Sequence, residues 1–354
     1  MKPALDIFDP SSYPTRRDEE WKYSDLSRVL REAPKKIAAA EFDIDYGGEW
    51  TPDFPIYEVF DGDYAMHGGL QNVVEANEGA LWLRHYHAGQ PSDVGFQGGD
   101  HLILKDDESL VLFETYVGEA AYAAHTSLSF TLGNNAKLIR VVILHEPKDA
   151  VSIRQSTVTT APGSVFKQYV FSTGAKFQRF ETHVQHAGHG AEVELNGAYL
   201  LKDKCHFDLT TRVTHGEIDG TTAQLIKGLV KDSATAVFQG RILVEKGADG
   251  TDARMRHQAL ILNDGAHVRA KPELEIYADD VQCAHGNTIG ALDEDAMFFA
   301  MSRGIPEDTA RAMLMHAFVL PVAEAIEDKD LRATVLNFLE KTSASFHLET
   351  IHAL

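Results

Sequence analysis

The chain has 354 residues, 44% hydrophobic and 24% charged, the balance of a globular protein long enough to bury a core without disulfide staples. A formal net charge of −20 argues against nucleic acid as a main partner, since phosphate binding needs clustered Lys and Arg, and against an anionic membrane surface. Two cysteines, Cys205 and Cys283, are too few for an extracellular disulfide framework, Met1–Asp6 lacks the apolar stretch of a secretory signal, and no run approaches about eighteen apolar residues, so a cytoplasmic chain with free thiols is expected.

In chain order, residues 1–100 read as an N-terminal mixed and helical region. Ser24 suits the cap of a short helix carrying Leu26, Val29 and Leu30, with Pro34 marking its end. Residues 41–100 mix Gly, Asp and aromatic residues with short apolar runs such as Ala80-Leu81-Trp82-Leu83. Residues 101–291 are a series of alternating segments. Val193, Leu195, Gly197, Tyr199 and Leu201 share one parity, and Phe207, Leu209 and Val213, Phe238, Ile242 and Val244, and Val268, Ala270 and Leu274 repeat the pattern. A period of two means strands with one buried and one wet face.

Turn signals separate these strands: Asn134-Asn135, Pro162-Gly163, Gly188-His189-Gly190, Asp219-Gly220, Lys231-Asp232, Gly247–Gly250 and Asn263-Asp264-Gly265. In the latter half they fall about 13 to 16 residues apart, and every second one about 30, a spacing of coiled rungs with two main strands each. A β-helix also admits Pro272 within a strand, at a rung corner or bulge. Residues 292–354 form a C-terminal helical domain. Asp293 caps a helix carrying Met297, Phe298 and Met301, with Gly304 at its end. Pro306 opens a second helix that Pro321 kinks or ends, and a third carries Leu331, Val335, Leu336 and Leu339.

The chain has no GxxxxGK[ST], GxGxxG after a strand, HExxH, GxSxG or CxxC, so no common self-contained enzyme is indicated. Cys283 and His285, two apart on a strand, share a face on which a thiolate and an imidazole can ligate iron or zinc. Two ligands do not close a tetrahedral site, so the rest would come from another rung or subunit; from spacing alone a buried thiol with a neighbouring histidine is the commoner outcome. His183, His186 and His189, like His85 and His87, read as surface histidines. Cys205 and His206 point to opposite faces. Asp279 and Asp280 read as a turn pair rather than the acid and base of a polysaccharide-cleaving β-helix.

The segment from Lys271 to Val281, with Cys283-Ala284-His285-Gly286, Gly290–Asp293, Ser302–Ile305, Phe238–Ile242, Gly250–Ala253 and Glu20–Leu26, resembles SufD-type subunits of the SUF iron–sulfur cluster assembly system. The resemblance implies a mainly β fold: a right-handed parallel β-helix core with flanking N-terminal and C-terminal helical regions. It implies a non-catalytic scaffold that pairs with a SufB-type subunit and docks a SufC-type ATPase through its C-terminal helices, making Met313, Leu314 and Phe318 a candidate docking face. It implies a role for His285, and less securely Cys283, in metal handling at the subunit interface. No cofactor is expected to bind tightly to the isolated chain, and iron or a cluster would be held transiently in the complex. A homodimer of the isolated chain, a β-helix enzyme acting on acidic polysaccharide and a purely structural homo-oligomer are the competing readings.

Overall fold

The structure, a computed structural model, describes residues 4–36, 54–60, 70–71, 79–87 and 93–348. A short helix, α1 (Leu26–Val29), precedes seventeen described strands: β1 (Lys35–Lys36), β2 (Ile56–Phe60), β3 (Ala80–His87), β4 (Val94–Leu104), β5 (Ser109–Gly118), β6 (Ala123–Leu132), β7 (Lys137–Leu144), β8 (Val151–Thr159), β9 (Val165–Ser172), β10 (Phe177–His186), β11 (Glu192–Leu201), β12 (His206–His215), β13 (Thr221–Val230), β14 (Thr235–Val244), β15 (Asp252–Ile261), β16 (His267–Ile276) and β17 (Gln282–Gly290). Three helices follow, α2 (Glu294–Ser302), α3 (Glu307–Glu324) and α4 (Lys329–Leu348).

The strands stack into a parallel β-solenoid of about seven turns. One sheet runs β1-β4-β6-β8-β10-β12-β14-β16, and the other β17-β15-β13-β11-β9-β7-β5-β3-β2. From β2 onward, partners lie from 26 residues apart (Val151 and Phe177) to 32 (Phe238 and Ala270). Solenoid strands already occur ahead of residue 101, in β2, β3 and β4.

The corners explain the spacing of the turn signals. Asp107, Asn135, Gly163, Gly190, Asp219 and Gly250 all have positive φ, the left-handed conformation that Gly, Asn and Asp adopt most easily. Each donates its N–H to a carbonyl of the next turn, of Asn134, Pro162, His189, Ile218, Asp249 and Asp280 in that order. Sequence periodicity thus becomes a hydrogen-bonded stack along one corner.

Inward parity builds the core: Val193, Leu195, Tyr199, Leu201, Phe207, Leu209, Val213, Phe238, Ile242 and Val244 are buried together. The interior also holds charge. Arg140 makes paired bonds of 2.7 and 2.8 Å to Glu114 and reaches Ser156 and Gln168. Arg154 bonds Glu146 at 2.6 Å. Burial pushes the Glu146 carboxyl up, but Arg154 and bonds from Ser152 and Gln178 outweigh it and hold the group below its usual range. Losing one partner of such a pair typically costs about 3–5 kcal/mol, so these pairs hold the rungs to one arrangement.

Both outer faces are covered. Ile7, Tyr13, Trp21 and Leu26 of the N-terminal arm pack on Ala123, Val151, Ile153 and Phe177. Ser24 does not cap α1: Asp25 holds that position, and the Ser24 hydroxyl bonds His206 at 2.9 Å and Asp208 on β12. Trp21 lies over the Arg179 guanidinium at 4.2 Å, and Arg179 is bonded to Asp208 at 2.6 Å. On the other sheet, Val319, Leu331, Val335 and Leu339 of α3 and α4 cover Ile139, Val141, Phe171 and Leu200. Glu327, between these helices, clasps Lys137 and Lys167 at 2.9 and 2.8 Å.

Asp293 caps α2, with Gly304 at positive φ beyond its end. Pro306 is the N-cap of α3 rather than its first residue. Of the two outcomes expected at Pro321, a kink or an end, the end does not occur: the helix runs through it to Glu324. Val319, Val322 and Ala323 anchor that turn in the core, while Ala317 and Pro321 lie on the wet side, where water can serve the carbonyl left without a donor. Pro272 sits neither at a corner nor at a bulge: the ladder is continuous through it, and it is tolerated because β16 pairs on one side only.

His85, His87, His186 and His215 are buried inside the solenoid, so the surface reading fails for the first three. Burial lowers the imidazole pKa to about 3 at His186 and about 4 at His215 and His257. Their folded values lie below the ordinary 6.5, so their contribution is intact above pH 6.5 and is lost as pH falls from there toward 4. Each adds up to about 1.4 kcal/mol of lost stability per pH unit in that window. Chemical denaturation at pH 7.5, 6 and 5 should show a steep fall; a flat profile would contradict neutral buried histidines.

Candidate functional site: the open end of the solenoid

β16 and β17 are the last strands of their sheets, and no described strand pairs with their outer sides. Their free N–H and C=O groups form an edge that can accept further strands. After β17 the chain enters α2, and α3 packs against β13 and β11 on the outer face. Ile276, Tyr277 and Ile289 stand exposed around the edge, Tyr277 at 64%.

Cys283 and His285 lie in register with Ala253 and Met255 and so share the inward parity of the core. Cys283 is half-buried against the last core layer and His285 is exposed. Burial pushes the Cys283 thiol pKa up, with the Asp252 charge adding to the effect. The two residues border an open trough of about 680 Å³, lined also by Gln224, Met255, Arg254 and Arg256. Among the described residues, no three His, Cys, Asp or Glu side chains gather where a metal would fit. The end rung thus presents one soft and one borderline donor, two short of a closed tetrahedral set.

The other candidates separate. His183 faces Glu181 at 2.6 Å, His186 stacks on His215 at 4.1 Å inside the solenoid, and His189 stands at a turn 3.6 Å from Asp219. His85 stacks on Tyr116 at 4.0 Å and His87 on Phe96 at 5.0 Å. Cys205 is buried, its thiol pushed up to about 11 by burial, while His206 turns outward to Ser24. Asp279 and Asp280 are exposed in the bend between β16 and β17, where the Asp280 carbonyl accepts from Gly250.

On the helices, Met313 is 53% exposed, whereas Leu314 and Phe318 are half-buried against the core and Phe318 lies beneath Lys227 at 4.3 Å. The expected helix carrying Met297, Phe298 and Met301 is α2. Met297 is buried, but Phe298 and Phe299 are 74% and 58% exposed and Met301 is exposed beside them. Adjacent positions lie about 100° apart on a helix, so burying Met297 turns the Phe pair outward.

Residues 88–318 match the family model described as the SufBD core domain of SUF system iron–sulfur cluster assembly. The chain belongs to the SufBD family. It is 29% identical over 238 residues to the iron–sulfur cluster assembly protein SufD of Escherichia coli, an alignment covering 67% of this chain and 56% of that protein. It is 30% identical over 243 residues to the chloroplastic protein ABCI7 of Arabidopsis thaliana, covering 68% and 51%. A third relative, SufD of Plasmodium falciparum, is 34% identical over 162 residues, covering 46% of this chain and 11% of that protein. The chain thus spans about half the length of the first two relatives. The SufBD match contains most of the solenoid, the Cys283–His285 rung and α2.

Proposed function

We propose that this chain is a non-catalytic, cytoplasmic scaffold of the SUF system whose open solenoid end pairs with a SufB-type subunit. The observation that carries the reading is the uncovered β16/β17 edge bearing Cys283 and His285 beside it. A partner strand added there supplies both the missing backbone bonds and the missing ligands, so the site is complete only in the assembled complex. Iron or a cluster is then cargo held between subunits, with no cofactor bound tightly by the isolated chain. In isolation the same edge favours a homodimer.

ATP hydrolysis belongs to a SufC-type partner, consistent with a sequence lacking a P-loop. The exposed Phe298, Phe299, Met301 and Met313 are the apolar surface for that ATPase, with Leu314 and Phe318 supporting it from beneath. Co-expression with the whole system and anaerobic purification test both parts. His285→Ala should leave subunit ratios unchanged and lower iron and sulfide content severalfold; unchanged content would remove His285 from metal handling. Phe298→Glu with Phe299→Glu should release the ATPase from this chain while the solenoid partner stays bound. Retention of the ATPase would place docking elsewhere.

A further inference from the structure

The end rung has a third inward position, Asn287, two residues beyond His285 and in register with His257. Positions i and i+2 on one strand face lie about 7 Å apart, so Asn287 stands beside the imidazole of His285. Unlike its neighbours, it is tied into the core. Its Oδ1 lies 2.7 Å from His257 Nδ1, and His257 Nε2 lies 2.8 Å from the Tyr199 hydroxyl. A carboxamide oxygen only accepts, so Nδ1 carries the proton, Nε2 accepts, and the Tyr199 O–H donates to it.

Several features hold this chain of bonds in place. Tyr199 and His257 are buried, and His257 is stacked on Phe238 at 4.8 Å with ring planes 7° apart. Tyr199 reaches its partner across Gly228, where a Cβ would lie only 1.9 Å from the phenol ring. A glycine in mid-strand weakens the strand, and here the bare position is what lets the ring pass. Burial lowers the His257 pKa to about 4, which keeps the ring neutral and Nε2 free to accept. With Oδ1 engaged inward, the Asn287 amino group is presented at the open end with two N–H donors.

We propose that Asn287 is a further functional side chain of this rung, donating an N–H to a sulfide of a cluster held beside His285, with Tyr199 and His257 as its positioning residues. The inference rests on the cluster-handling reading above. Hydrogen bonds to cluster sulfurs tune stability and potential, and a donor oriented by buried partners gives that bond without reordering.

Two experiments test it. In the full-length chain alone, ¹⁵N NMR of the histidines should show His257 protonated at Nδ1, and Tyr199→Phe, which keeps the ring, should disturb that signal. An Nε2-protonated His257 would turn the carboxamide around and overturn the proposal. In the co-expressed complex, Asn287→Leu should assemble with normal subunit ratios but lose its visible cluster absorption in air at least about tenfold faster than wild type, the scale on which outer-shell changes act on metal sites. Tyr199→Phe should shift the rate in the same direction by less. Bleaching at the wild-type rate overturns the proposal, as does failure of Asn287→Leu to assemble, which would make Asn287 an interface residue. A wild-type complex without iron and sulfide would overturn the cluster reading itself, a result distinguishable because it appears before any substitution is made.

Discussion

Each rung of a parallel solenoid is completed by the next: its backbone donors and acceptors, its inward side chains and its corner hydrogen bonds all find partners one turn away. The last rung has no such neighbour. The corner stack running from Asp107 through Asn135, Gly163, Gly190 and Asp219 ends at the bond from Gly250 to Asp280, and the strands beside it, β16 and β17, have one free side each. Unpaired edges are a hazard that proteins usually blunt or cover. The N-terminal arm and the C-terminal helices lie on the solenoid's two outer faces, and among the described residues no strand pairs beyond this end, which carries two metal-competent side chains.

The interior explains why the open end can remain well ordered. A solenoid filled only with aliphatic side chains would tolerate slippage between rungs. Here Arg140 binds Glu114 on β5, Gln168 on β9 and Ser156 on β8, and Arg154 is fixed to Glu146 and Thr126. Such buried pairs are satisfied in one register only. Nearer the end, the polar contacts change from ion pairs to neutral groups: Thr211 with Gln224, then Tyr199 with His257 and Asn287. A neutral chain carries no charge repulsion to a partner and still fixes an amide.

The rungs were legible in the sequence because the corners of one stack, from Asp107 to Gly250, each carry a residue that accepts positive φ and most strands alternate. The signal failed where alternation failed. From Leu81 to His87 every residue of β3 is buried, Arg84 and Tyr86 on one face and His85 and His87 on the other, so polarity no longer reported which side was wet. The shared face of Cys283 and His285 was legible from parity, but the lack of a third ligand beside them among the described residues was not. The Asn287–His257–Tyr199 chain joins residues 30 and 58 positions apart and becomes visible only once the register is known. Ser24 was misread because a serine before an apolar run has the same signature whether it caps a helix or reaches across to a sheet.

Amide hydrogen exchange of β16 and β17, in the dilute isolated chain and in the complex with the proposed SufB-type partner, tests the central claim most directly. The account predicts fast exchange from residues 282–290 in the isolated chain and strong protection of the same amides in the complex, while β11 and β13 change little. Equal exchange at this edge in both states, with protection appearing elsewhere, would contradict the open end as the place where the subunit meets its partner.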